Sequence, residues 1–156
     1  MKTKLIISYR FLALIGLSVW LSACTVDKTV APAVGSPTMP VSVTDPTKTF
    51  DLTGQVLLSQ GAFVNGVHPT TGAVKVYEKA GKQTLVFENF KTDGGPDLRI
   101  YLAEDAALTN FTEVSKLAAT GSFFVEAPTT FNPAKQRTVL IWCKQFSVLF
   151  GSATLK

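Results

Sequence analysis

The chain has 156 residues, of which 46% are hydrophobic and 17% are charged, a length and composition that predict one globular domain and argue against disorder outside a linker. The formal net charge is +4, but Lys2, Lys4 and Arg10 lie within the first ten positions and leave 12 basic against 11 acidic residues elsewhere. Because acidic and basic side chains are interleaved there, no nucleic-acid partner is predicted.

The N-terminus has the pattern of a secretory signal. Lys2 and Lys4 precede an apolar stretch at residues 11–20, and the small residues Ser22 and Ala23 follow it. An uncleaved membrane anchor is the alternative. However, the apolar run is shorter than the ~20 residues that span a bilayer, which favours a signal peptide at residues 1–23.

Residues 21–24, Leu-Ser-Ala-Cys, resemble the bacterial lipobox. In that motif the cysteine thiol is diacylated and becomes the new N-terminus after cleavage. The resemblance predicts lipidation at Cys24, a membrane partner bound through fatty-acid chains, and a domain in the cell envelope outside the cytoplasm. Thr25 stands where inner-membrane retention signals place Asp, which favours the outer membrane.

Residues 24–52 are rich in proline and threonine and show neither a helical nor an alternating period. They are predicted to form a lipid-anchored linker. The alternative is an edge strand folded onto the domain through Val41, Val43 and Phe50. The prolines of this stretch are Pro32, Pro37, Pro40 and Pro46.

Residues 53–156 are predicted to form the folded domain, because glycines and prolines separate short apolar runs. Residues 73–78 alternate in polarity, and residues 80–82 can turn them into residues 84–90 as an antiparallel hairpin. Further strands are predicted at residues 98–102, 123–126, 138–143 and 147–150. Residues 104–119 have a helix-forming composition and are predicted to form a long crossing loop with one or two helical turns.

Short strands at this density predict an all-β fold. We expect a single antiparallel β-sandwich or barrel of about seven or eight strands, with one long loop that has room for a short helix. Closing or doubling the sheet is how an all-β chain hides its edges.

Three segments, at residues 61–72, 87–98 and 139–151, together resemble the DM-thirteen domain. They contain a G-x-F then H-x-x-x-G opening, an N-F-x-x-x-x-G-P-D turn and a late W-C-x-x-F strand, in the family's order. The resemblance implies an extracellular β-rich module that often accompanies haem-binding DOMON domains. It also implies a redox role through the late cysteine, here Cys143. No second domain that could hold a haem is predicted in this chain, so we expect no cofactor. A redox role would then require a separate partner protein.

Residues 93–97 form a glycine-rich turn with two acidic side chains. Gly94 and Gly95 permit positive φ, and Asp93 and Asp97 can accept backbone hydrogen bonds, which is typical of a turn that sets strand register. The alternative is a cation bound by the two aspartates. The spacing lacks the ligand series of a calcium loop, and no metal is predicted.

His68 is the only histidine, and Gly66, Val67 and Pro69 around it predict a loop. A lone histidine is more often a hydrogen-bonded turn residue than a metal ligand. No Ser-His-Asp order with a nucleophile elbow is present, and Val67 and His68 stand where a phosphate-binding loop needs Lys and Ser/Thr. Hydrolases and nucleotidases are excluded, and no stand-alone enzyme is predicted.

Cys143 is the one thiol left once Cys24 is acylated. In a strand it shares a face with Val139 and Ile141, so it is either a small core residue or a reactive thiol. A reactive thiol needs a nearby cation. Lys144 would point to the opposite face, so Arg99 or His68 is the candidate, and the thiol is predicted to lie near residues 89–99.

Two functions therefore stay open. In the first, the protein is an accessory in thiol-based redox or electron transfer through Cys143, with His68, Asp93, Asp97 and Arg99 as neighbours of the thiol or as turn-forming residues. In the second, it is a non-catalytic binding or scaffold module whose loops, at residues 65–71, 91–96 and 128–137, bind a partner protein.

Overall fold

The computed structural model describes residues 33–34, 41–45 and 47–156. Three predicted features lie outside the described residues: the signal peptide, the predicted lipidation site Cys24, and most of the linker, including Pro46. All regular structure in the described part is β, and no helix there has the length and hydropathy needed to cross a membrane.

Ten strands are present in the described residues. Their bounds are β1 Ala33–Val34, β2 Val41–Ser42, β3 Val56–Asn65, β4 Thr70–Lys79, β5 Lys82–Thr92, β6 Leu98–Ala103, β7 Thr112–Lys116, β8 Ala119–Glu126, β9 Thr138–Cys143 and β10 Val148–Thr154.

The strands form one curled sheet in the order β1-β8-β5-β4-β3-β10-β9-β6-β7, with β2 also paired to β8. The eight longer strands are antiparallel, and β7 approaches β8, so the sheet is nearly a closed barrel. The predicted all-β fold of seven or eight antiparallel strands is confirmed.

The predicted hairpin is also confirmed and is longer than expected. β4 pairs with β5 from Thr70↔Thr92 to Lys79↔Lys82. The two residues between the strands, Ala80 and Gly81, have φ of 52° and 76°. Two consecutive positive φ values are the signature of a type I′ turn, whose twist matches that of the flanking strands.

The expected helical turns within residues 104–119 are wrong. Thr112–Lys116 instead form β7 against β6, and β8 begins at Ala119. Leu108 and Asn110 have φ of 66° and 46°, which an α-helix cannot contain. The Asp105 carboxylate accepts hydrogen bonds from Thr109 instead, and these bonds close the loop before β7.

Four phenylalanines fill the centre of the barrel. The ring centroids of Phe87 and Phe123 lie 4.4 Å apart in a stacked pair. The Phe90 ring lies 5.5 Å from Phe87 and 5.8 Å from Phe123, and the Phe63 ring lies 5.8 Å from Phe87 and 5.0 Å from Phe90. Phe63, Phe87 and Phe90 come from β3 and β5, so the cluster joins distant parts of the chain. Aromatic pairs of this kind contribute about 0.5–1.5 kcal/mol beyond the area that they bury.

The later part of the predicted linker lies against the domain. Val41–Ser42 run parallel to Phe123 and Phe124 of β8. Phe50 is buried, with its ring 5.3 Å from Tyr77 and 5.5 Å from Phe124. These contacts match the alternative in which Val41, Val43 and Phe50 fold onto the domain.

Candidate functional site

Cys143 ends β9 on the inner face of the barrel. It pairs with Leu98 of β6 and Val148 of β10, and it belongs to the same core cluster as Val139 and Ile141. Its relative exposure is 0%, and it is a free cysteine. The thiol is thus enclosed by apolar side chains beside the segment 89–99.

Arg99 lies on the opposite face of the same sheet. It pairs with Trp142, the residue before Cys143, and residues paired across two strands share a face while successive residues alternate. Its guanidinium donates two hydrogen bonds to Asp97, at 2.6 and 3.2 Å, and one to Glu113, at 2.7 Å. Lys144 also contacts Glu113, so these cations belong to an outer ion-pair network and not to the thiol.

The pairing of Arg99 with Asp97 shifts the pKa of both groups. The hydrogen bond from Arg99 holds the pKa of Asp97 below its usual range, and the same bond raises the pKa of Arg99. Burial raises the pKa of Tyr101, with the Glu113 carboxylate acting in the same direction.

His68 forms a separate pair with Asp93. The His68 Nδ1 donates to Asp93 Oδ2 at 3.0 Å, and the imidazole stacks on the Phe150 ring with centroids 3.9 Å apart. Both polar side chains are substantially exposed, so the pair contributes little to stability. The structure therefore joins the candidate residues in two pairs, His68 with Asp93 and Arg99 with Asp97.

The loop at residues 93–97 covers the end of the core that contains Cys143. A β-carbon on Gly95 would lie 2.7 Å from Leu98 Cδ2 and 3.1 Å from Phe150 Cζ. The Asp97 carbonyl accepts a hydrogen bond from the Lys144 amide at 2.9 Å. Neither Gly94 nor Gly95 has positive φ, so glycine at position 95 leaves room for the side chains of Leu98 and Phe150 and is not required by the backbone conformation.

The loop at residues 93–97 connects β5 to β6. Across the described ranges, no group of three or more His, Cys, Asp and Glu side chains is placed to hold a metal ion.

Sequence reasoning missed an exposed apolar surface at the start of β3. We call it the Leu57 strip, and it consists of Leu52, Val56, Leu57 and Leu58. Val56 and Leu57 pair with Glu78 and Tyr77 near the end of β4. The Val-Leu-Leu run was visible in the sequence, but an apolar run in a β protein normally indicates burial, and only the structure shows these side chains exposed.

Acid should destabilise the domain partly through Asp97. Because its pKa is lower in the folded state, the carboxylate stabilises the fold above the ordinary aspartate pKa of about 4, and this stabilisation is lost as pH falls through the folded pKa. Asp97→Asn should therefore show a smaller drop in Tm than wild type between about pH 5 and pH 2, measured by circular dichroism. Arg99→Gln should flatten the profile in the same way, and an unchanged drop in both variants would contradict this assignment.

Comparison with protein families gives a match over most of the barrel. A family model described as "Electron transfer DM13" matches residues 62–155, which is more than half of the chain. The match starts within β3 and extends beyond β10, so it covers nearly the whole barrel together with Cys143, His68 and the loop at residues 93–97. Neither the curated proteins nor the solved structures gave a match. The chain belongs to the electron transfer DM13 family.

Proposed function

We propose that this protein is an outer-membrane lipoprotein, anchored through Cys24, that serves electron transfer by binding a partner protein. Three features support the proposal: the lipobox-like residues 21–24, the family membership and the enclosure of Cys143 in the core. The last observation carries the choice between the two functions that the sequence left open.

A redox thiol must be reached by the sulfur of its partner and must ionise. Thiol–disulfide exchange proceeds by attack of a thiolate on another sulfur, so access and a nearby cation both matter. Cys143 is fully buried beside Leu98 and Val148, and Arg99 shares the outer face with Trp142. The burial of the thiol and the placement of Arg99 on the other face both favour a packing role for Cys143. The electrons would then be carried by the partner protein.

The Leu57 strip offers a surface for such a partner. It concentrates four exposed large apolar side chains at one end of the barrel, and exposed apolar patches commonly mark protein interaction sites. Encounters between electron-transfer proteins are weak and bury little surface, below about 1,200 Å². A small apolar strip suits a transient contact of that kind with a redox protein of the envelope.

Alkylation of Cys143 tests the proposal. In the full chain carrying Cys24→Ala, Cys143 is the only thiol, and it should react with iodoacetamide at least ~100-fold more slowly in the folded protein than in urea, because the reaction requires opening of the core. Mass spectrometry over time measures the rate.

Gln145→Cys in the same background is the matched control, since residue 145 is exposed two positions away and should react at once. The proposal would be contradicted if Cys143 reacted as fast as the cysteine of the Gln145→Cys control and its alkylation rate had a pH midpoint below about 7.5. That result would assign the redox role to Cys143.

Lipidation is tested separately. Cys24→Ala should abolish incorporation of a clickable fatty-acid analogue in growing cells, because it removes the thiol that the proposed lipobox acylates. Cys143→Ala should leave labelling at the wild-type level. Undiminished labelling of Cys24→Ala would refute the anchor.

A further inference from the structure

The barrel has two ends with different surfaces. At the His68 end lie the loops at residues 66–69, 93–97 and 144–147 and the first residues of β8. At the hairpin end lie the Ala80–Gly81 turn and the Leu57 strip. A ten-residue strand such as β3 separates the ends by about 30 Å, at ~3.3 Å per residue.

The N-terminal part of the chain enters the domain at the His68 end. β1 pairs in parallel with Ala119 and Thr120, at the start of β8, and β2 pairs further along with Phe123 and Phe124. Both strands therefore run from the His68 end towards the hairpin end. Cys24 precedes Ala33 by nine residues, a length of chain that cannot span more than about 30 Å.

Two neighbouring loops at the His68 end expose apolar side chains. Val67 is 74% exposed and Phe146 is 64% exposed. The loops adjoin, because the amides of Gly66 and Val67 donate to the carbonyls of Phe150 and Leu149 at 2.8 and 2.9 Å. Neither side chain belongs to the core, so both are available to a surface outside the domain.

The charges at this end suit an anionic surface. Lys91 and Lys116 are exposed there, while Lys144 is paired with Glu113 and Arg99 is paired with Asp97. The other aspartate of the loop at residues 93–97, Asp93, contacts His68. Lysines near a bilayer are attracted to anionic lipid headgroups. Exposed apolar side chains beside lysines are the composition of an interfacial contact.

We propose that the His68 end faces the lipid bilayer, with Val67 and Phe146 in contact with its surface. The orientation rests on the proposed acylation of Cys24. A short tether holds the domain at a high effective concentration beside the membrane, so a contact too weak to bind free protein is populated in the anchored one. The Leu57 strip then faces away from the lipid, where a partner protein can reach it.

Fluorescence quenching tests this orientation in the acylated full chain, reconstituted in vesicles of phosphatidylethanolamine and phosphatidylglycerol that contain a spin-labelled lipid. An environment-sensitive fluorophore is attached to Gln145→Cys at the His68 end or to Thr53→Cys at the hairpin end. The lipid should quench the probe at 145 at least about threefold more than the probe at 53, because interfacial contacts reach only ~5–10 Å into the membrane.

Matched double variants identify the contact. Val67→Ser with Phe146→Ser should reduce quenching at 145 to the level seen at 53, whereas Val56→Ser with Leu57→Ser should leave it unchanged. All four positions are exposed, so the substitutions do not disturb the core.

The possible failures are distinguishable. Failure of the protein to float with the vesicles would refute the anchor and this orientation with it. Flotation with equal or reversed quenching at the two probes would overturn the orientation alone. A probe at 145 that is shielded from water without being quenched by lipid would show that a protein covers this end, and would also overturn the proposal.

Discussion

Replacing Phe87 with alanine is expected to lower the free energy of unfolding by about 3–5 kcal/mol. The side chain is fully buried, and its ring contacts those of Phe123, Phe63 and Phe90. Removing the ring leaves a cavity at the centre of the barrel. Phe63, Phe90 and Phe123 each lose an aromatic contact. Urea unfolding followed by the fluorescence of Trp142 measures the loss.

The control is another phenylalanine with the opposite environment. Phe146 is exposed in the β9–β10 turn, so Phe146→Ala should change the free energy of unfolding by no more than about 0.5 kcal/mol. Similar losses in the two variants would mean that the stacked cluster does not form the centre of the core.

Replacing Gly72 with alanine is expected to lower the free energy of unfolding by about 2–6 kcal/mol, since backbone strain and overpacking each contribute about 1–3 kcal/mol. Gly72 has φ +104°, and a β-carbon there would lie 2.7 Å from both the Glu88 carbonyl oxygen and the Phe90 Cα. Those atoms belong to the backbone of β5, so no side-chain rotation relieves the clash. The residue sits at a bulge in the β4–β5 pairing, between Thr71 and Ala73.

Differential scanning calorimetry should show a Tm at least ~10 °C below wild type for Gly72→Ala. Gly94→Ala is the matched control, because a β-carbon at Gly94 meets no atom within 4 Å and its φ is not positive. Its Tm should stay within about 2 °C of wild type, as expected of a surface substitution. Equal shifts in both variants would contradict the assigned role of Gly72.

Local patterns in the sequence predicted the elements whose pairing is local. The β4–β5 hairpin follows from alternation around a two-residue turn, and the predicted strand at residues 138–143 coincides with β9. β3 was not predicted as a ten-residue strand, because its first residues are exposed on both faces and show no alternation. β7 was expected to be part of a long loop with one or two helical turns, because its composition carries no signal of its pairing with β6.

The sequence predicted which residues belong to the candidate site, but not which of them contact one another. Sequence singled out His68, Asp93, Asp97 and Arg99, yet the partner of His68 lies 25 residues away in another loop. The position of Arg99 relative to Cys143 depends on the register that sets Arg99 opposite Trp142. Register between strands more than 40 residues apart is decided by the whole barrel and leaves no local signal.

The pairing of β3 with β10 also sets the timing of folding. Phe63 lies opposite Ala153, so the two strands that complete the order of the sheet are the first long strand and the last one. The barrel cannot close until nearly the entire chain is present, and closure over such a large sequence separation is slow. A chain emerging from a ribosome therefore keeps its sheet incomplete until the last strand, β10, has been released.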